Sequence, residues 1–445
     1  MLGRPGQAQR ARCSIASVLV ALSAATLVGC SPKGSESEPS MIETYSAEIN
    51  ANPLYAGRRQ LVQSQLGLKG TLLVWTQQYQ GLEPMIQQML NNSIRTMTRS
   101  FEKIHPEVTV VVEEYPDTIF YQKHKESLKY GLGADVILVH TLMLSSLARD
   151  NLIKPIPSKG IESKNFRPKL LKQAKQGERL YGLPFMVDVQ ALCYNRDHVS
   201  AAPKSLKQLK QLASEGISTG LSMSFIQSIW GASGFGAEVF NKQGEPSMNE
   251  ESWGQWINVL QSLDLEPGIV LMEDPQIMRQ YFIEGELSMI PCRSHEFPLL
   301  REKLGGEKLG VASLPSINGI PARPEVAGLM LALSPIMSER QETLAKELLL
   351  HMTNPDIQQI MAVQWKSLLP VNSKIDFNRH LFPELKQLTE IYDNSTAFTM
   401  DEWNAIVGNF EVINDSYKNA INGEIKTDLA IKRINDALQK AIPSQ

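Results

Sequence analysis

One stretch of the chain has the spacing of a serine nucleophile, Gly216-Ile217-Ser218-Thr219-Gly220. A serine at the centre of G-x-S-x-G is activated on a sharp turn between a strand and a helix. Here the match runs on into Leu221-Ser222-Met223, which reads as strand or loop, so hydrolase chemistry is not expected. No H-E-x-x-H, C-x-x-C, P-loop or G-x-G-x-x-G pattern occurs, and the glycine-rich run Gly231 to Gly236 lacks phosphate-loop spacing. Cys193 and Cys292 lie in apolar, strand-like runs and have no metal-ligand spacing. Two buried thiols and a disulfide both fit them. An enzyme, a metal site and a cofactor are therefore not expected.

Cys30 offers a different chemistry. Arg4, Arg10 and Arg12 precede an apolar run from Ser14 to Val28, too short to span a bilayer. Leu27-Val28-Gly29-Cys30 then resembles a lipobox, with small residues before a cysteine whose thiol takes lipid. Residues 1–29 are thus read as a lipoprotein signal peptide, and residues 30–67 as the lipidated cysteine and its tether. Acyl chains anchor a protein without spanning the membrane. The expected location is extracytoplasmic, lipid-anchored to a bacterial membrane, in the periplasm or at the cell surface.

The formal net charge is −3, and residues 1–29 hold three arginines and no acid, so the remainder is more acidic still. A chain of this charge offers no polycation for nucleic acid. No second apolar run reaches spanning length. At 445 residues the chain exceeds what one core usually holds, and two lobes are expected.

Apolar periodicity supplies the elements. Thr71 to Trp75, Val108 to Val112 and Asp135 to Val139 read as buried strands, alternating with helices over Met85–Ile104, Phe120–Tyr130 and Leu142–Leu147. Strand–helix alternation with fully apolar strands predicts a parallel sheet covered on both faces. Further on, Val187–Tyr194, Leu287–Ile290, Gly310–Leu314 and Val326–Leu333 read as strands. Ser252–Leu263, Asp401–Tyr417 and Thr427–Leu438 are amphipathic helices, and Ser338 with Gln341 predicts a capping box.

Several stretches, in order, resemble the extracellular solute-binding proteins of ABC importers, in the class like maltose-binding protein. They are Gly70 to Trp75, Phe101 to Pro106 with Val108 to Val110, Ala134 to Leu138, and Leu152 to Ile156. Tyr181 to Phe185 with Ala191 to Asp197, Phe282 to Met289, Ala327 to Ser334 and Leu368 to Val371 complete the set. The resemblance implies an α/β, two-lobed periplasmic-binding-protein fold of class II type, with discontinuous lobes and a hinge of crossing strands. The lobes would be residues 68–186 plus 314–352 and residues 187–313 plus 353–445, with crossings near Met186, Ala312 and Thr353. It further implies a monomer that binds a small solute, carbohydrate first, and delivers it to permease subunits driven by a cytoplasmic ATPase. A non-sugar or anionic solute, or a lipid-anchored sensor without transport, is the alternative.

On this resemblance, ligand contacts belong at strand ends and crossovers. Trp75, Gln77, Gln78 and Tyr79 follow the first strand, where rings stack on sugars and amides pair with hydroxyls. Asp188 lies just past the crossover and would accept hydrogen bonds from vicinal hydroxyls; a hinge carboxylate paired with a local base is its structural alternative. His140 ends the third strand, and Glu114 and Tyr115 the second. Trp230 stands at a glycine-rich break. Arg293 stands where sugar-binding relatives often carry tryptophan, which admits an acidic ligand. Trp365 precedes Leu368-Leu369-Pro370, where the family often supplies a stacking ring. Trp253, Trp256 and Trp403 sit on helical apolar stripes and are expected in the core.

Overall fold

A computed structural model describes residues 68–79, 82–375 and 383–441; Cys30, its signal and its tether lie outside them. The described chain begins β1 (Gly70–Gln78), α1 (Pro84–Ile104), β2 (Val108–Pro116), α2 (Asp117–Lys129), β3 (Val136–His140), α3 (Thr141–Arg149). β1 runs parallel to both β2 and β3, with Trp75 opposite Glu113 and Ile137. Parallel neighbours need crossover connections, and α1 and α2 are those connections. α1 buries Ile86, Leu90, Ile94, Met97 and Phe101 along one face, at helical spacing.

After α4 (Pro168–Gln173) and a ribbon of β4 (Lys175–Gln176) with β5 (Arg179–Leu180), the chain enters β6 (Leu183–Asn195). This strand organises the molecule. Its first half pairs antiparallel with β11 (Val326–Leu333), and its second half pairs with β9 (Met289–Arg293) and β10 (Leu309–Ala312). One strand thereby belongs to both lobes, and every residue in it except Tyr194 is buried. The second lobe is built from α5 (Leu206–Ser214), β7 (Thr219–Ser222), α6 (Phe225–Ser228), α7 (Glu250–Asp264), β8 (Ile269–Met272), α8 (Pro275–Glu284), β9, α9 (Phe297–Leu304) and β10. Gly285 closes α8 at φ 83°, a left-handed position that suits glycine. Strand order across both lobes is β2-β1-β3-β11-β6-β9-β7-β8, with β10 also beside β6.

The chain ends in helices α10 (Glu339–Met352), α11 (Pro355–Trp365), α12 (Pro383–Asn394), α13 (Met400–Gly408), α14 (Phe410–Ile421) and α15 (Thr427–Ala441). The expected single helix over Asp401–Tyr417 is two, broken at Asn409, whose amide side chain donates to Ala405 O at 2.9 Å. Ser338 caps α10 through Gln341 N, but the Gln341 side chain reaches Thr71 O instead of completing a capping box.

Two sets of contacts lie where the chain passes between lobes. Leu314 and Ile317 are buried with Leu192, Trp230 and Trp256 in the second core. α11 packs the other way: Gln358 donates to Phe185 O, and Trp365 donates to Ser93 on α1. Lys169 N donates to Tyr392 at the end of α12. A helix break such as Asn354-Pro355 says where a helix starts and not which lobe it packs on.

Cys193 and Cys292 form a disulfide, Cα–Cα 5.8 Å, tying β6 to β9. Of the two states the sequence left open, this is the one the structure has. The alternation of both strands turns the two thiols toward each other from neighbouring positions, Cys193 beside Ile290 and Ala191 beside Cys292.

Candidate functional site

A cavity of about 340 Å³ lies where β6 passes between lobes. From the first lobe it is bounded by Tyr79 after β1, by Leu82 just before α1, by Ile86 and Leu90 on α1, and by His140 and Trp365. From β6 it receives Met186, Asp188 and Gln190, and from the second lobe Arg279, Ile290, Pro291, Arg293, His295 and Glu296.

Asp188 is at the centre of the charged wall. Its Oδ1 accepts from Ser294 Oγ at 2.9 Å and from His295 N at 3.3 Å. Its Oδ2 lies 3.3 Å from Arg293 Nε and 3.1 Å from His295 Nδ1. Burial alone would raise this carboxyl; His295 and Arg293 outweigh it and hold it below the usual carboxylate range. Burial would lower His295, but Asp188 beside it raises the imidazole above its ordinary value. Arg293 also donates to Glu325, at 2.7 Å to Oε2 and 3.0 Å to the main-chain oxygen. Burial raises Glu325 in turn. Both oxygens of Asp188 are therefore occupied by protein, as a hinge carboxylate's would be. The guanidinium of Arg293 faces two carboxylates, which removes the motive for an anionic ligand.

A second set of ion pairs spans the lobes. Arg279 on α8, with a side chain 8% exposed, lies 2.6 Å from Glu296 and 2.9 Å from Glu83, just before α1. Glu296 also accepts from Arg293 N at 2.7 Å.

Tyr79 lines the cavity with its hydroxyl tied to Gln77 Oε1 at 2.8 Å, and its ring meets His140 edge-on at 5.6 Å. Gln77 itself is buried and also accepts from His140 N, so it supports Tyr79 from behind. His140 caps α3 through Nδ1, and burial, followed by the Arg293 charge, brings its imidazole down to about 4. Trp365 edges the cavity but is buried, with its indole N–H donating to Ser93 at 3.1 Å.

The other predicted residues lie elsewhere. Trp75 is core, edge-on to Tyr115 at 4.7 Å and to Phe120 at 6.5 Å. Gln78 borders a separate surface hollow with Pro84 and Arg95. Glu114 accepts from Asn91 and Gln87 on α1, and Tyr115 donates to Glu113 beneath the Lys123 ammonium. Trp230 packs against Trp256 in the second core. Ser218 precedes β7 rather than following a strand, and its hydroxyl goes to Glu286 O at 2.7 Å, so no nucleophile elbow forms. Sequence reasoning missed Arg279, His295, Glu296, Glu325 and Gln190. The run Arg293-Ser294-His295-Glu296 at a strand end was the available signal for two of them.

A cleft at a strand crossing, with its polar groups drawn from both lobes, is the geometry of a binding site. The profile of the family described as "Bacterial extracellular solute-binding protein" matches residues 96–380. The chain belongs to this family. Among curated relatives, the galactooligosaccharide-binding protein of Bacillus subtilis (strain 168) is 27% identical over 176 residues, covering 37% of this chain and 41% of that protein. The maltotriose-binding protein of Pyrococcus abyssi (strain GE5 / Orsay) is 22% identical over 313 residues, covering 67% of this chain and 66% of that protein. The matches to these curated relatives thus span from about two fifths to just under two thirds of their length. The GacH receptor of Streptomyces glaucescens GLA.O, solved unliganded and with acarbose, superposes with a TM-score of 0.71 at 18% identity, over 84% of this chain and 99% of that one. This likeness establishes the two-lobed fold of the solute-binding protein, and the family is an extracellular one. Among the described residues no helix is long and apolar enough to cross a membrane.

Proposed function

We propose that this solute-binding protein captures a small neutral carbohydrate in the cavity across β6 and hands it to the permease subunits of an ABC importer. Lipid on Cys30 would hold it to the membrane beside that permease, raising its local concentration there. The lobes would be residues 68–186 with 326–394, and residues 187–323 with 396–441. The hinge would then be β6, Arg323 to Val326, and the passage after α12. Closure would follow from a ligand that contacts both lobes and so binds the closed form better.

One observation carries the reading: a cavity at the crossover strand whose charges are already paired within the protein, leaving uncharged polar and apolar surface for a ligand. The oligosaccharide-binding relatives support carbohydrate as the class. Isothermal titration of the full chain against neutral sugars, sugar acids and polyamines tests it. Heat with neutral sugars is expected; heat confined to anions or amines would overturn carbohydrate as the solute.

A further inference from the structure

The two aromatic rings that line this cavity among the described residues, Tyr79 and Trp365, are both engaged by protein neighbours. Tyr79 has its hydroxyl on Gln77 and its ring edge-on to His140. Trp365 has its N–H committed to Ser93. Beside these rings stands an aliphatic wall. Ile86 and Leu90 are four residues apart on α1, a spacing that brings them onto one side of the cavity; Leu82, just before the helix, lines it too, as does Ile290-Pro291 of β9 from the second lobe. Aliphatic carbon gains little from the hydroxyl-studded edge of a sugar and much from methyl and methylene groups.

The polar surface is correspondingly small. Gln190 on β6 is 3% exposed; its amide N–H₂ donates to Gln227 O at 2.9 Å, and its Oε1 meets no donor among the described residues. A buried acceptor of this kind requires a partner, and a ligand hydroxyl supplies one. The neighbouring charges are matched among themselves, Asp188 with Arg293 and His295, Arg279 with Glu83 and Glu296. The volume, about 340 Å³, is at the small end of ligand pockets, roughly 300–1,000 Å³.

We infer that the ligand is a neutral sugar carrying an aliphatic part, such as an alkyl glycoside or an acylated or deoxy sugar, with a hydroxyl on Gln190 and its apolar part against Leu82, Ile86 and Leu90. The inference rests on the carbohydrate reading above and narrows it. The test is titration of the full chain with glucose, galactose and mannose, each paired with its 1-O-butyl glycoside, and with maltotriose and galactobiose. Each methylene seated on the wall multiplies affinity by about four. At least one butyl glycoside is therefore expected to bind tenfold or more tightly than its parent sugar. Ile86→Thr should shrink the ratio of butyl-glycoside to parent-sugar affinity by about fourfold or more, and an unchanged ratio would overturn the inference. Parent sugars or the oligosaccharides binding as tightly as the butyl glycosides would overturn the inference and leave the carbohydrate reading standing. No binding by any carbohydrate of either kind would overturn the carbohydrate reading, and the inference with it.

Discussion

Asp188→Asn removes one negative charge and almost no volume from the best-connected point of the cleft. Four groups converge on the carboxylate: Ser294 Oγ, His295 N, His295 Nδ1 and Arg293 Nε. The side chain is 8% exposed, so water does little to screen these contacts. Taking one member from a buried ion pair typically costs about 3–5 kcal/mol, because the remaining charge is left uncompensated. Two features reduce that here. Arg293 keeps Glu325, and His295 is free to release its proton. We expect a loss of about 2–4 kcal/mol at neutral pH.

The pH dependence identifies the cause. In the wild type the His295 value is raised, so its contribution is fully present below about 6.5, its unfolded value, and is lost as pH climbs through the folded value. Asp188 is shifted the other way, and its contribution persists until pH falls well below the ordinary carboxylate range. In the variant only the Glu296 charge still raises His295, and burial with Arg293 makes its charged form unfavourable at low pH. The stability difference between the two proteins should therefore be largest near pH 5–6 and shrink toward pH 9. Urea unfolding of both proteins across that range is the assay. A difference under about 1 kcal/mol, or one that is flat with pH, would refute the network.

Other expectations follow from neighbouring parts of the structure. Replacing both Cys193 and Cys292 with alanine opens a loop of 99 residues' separation; a loss of about 2–5 kcal/mol is expected, and unchanged urea midpoints with and without reductant would show the bond idle. Arg279→Gln strands Glu296 and releases Glu83, so small-angle scattering of the unliganded protein should show a larger radius of gyration; an unaltered profile would contradict a link between lobes. His140 should stay neutral to about pH 4 in an NMR titration, and a midpoint near 6.5 would mean it is not buried as described. Trp365→Phe should cost about 1 kcal/mol through the lost bond to Ser93; an unchanged midpoint would indicate that the indole N–H has no partner there.

Much of the architecture was legible because it is local. The buried runs of β1 and β3, and the stripe Ile86, Leu90, Ile94, Met97, Phe101 on α1, announce themselves by period. The position of Asp188 past Pro184-Phe185 was legible too. Its partners were not, because Ser294 and His295 lie over a hundred residues away and arrive only when β9 pairs with β6. Arg293 drew notice as a departure and suggested an anion; the structure answers that charge with Asp188 and Glu325. Trp75 and Trp230 were ambiguous for a physical reason. An aromatic near the end of a strand, like Trp75, or at a glycine-rich break, like Trp230, has two buried directions open to it, core and cleft, and both rings took the core. Arg279 had no signal, because its partner Glu83 lies in the other lobe, 196 residues away in sequence.

The claim that β6 forms the floor of a ligand site is tested most directly by a crystal structure of the full chain with a carbohydrate that gives heat on titration. Ligand density is expected within the cavity, with a hydroxyl within hydrogen-bonding distance of Gln190 Oε1 and Leu90 in van der Waals contact with the ligand. Density on the outer surface, with the cavity holding only water, would contradict it.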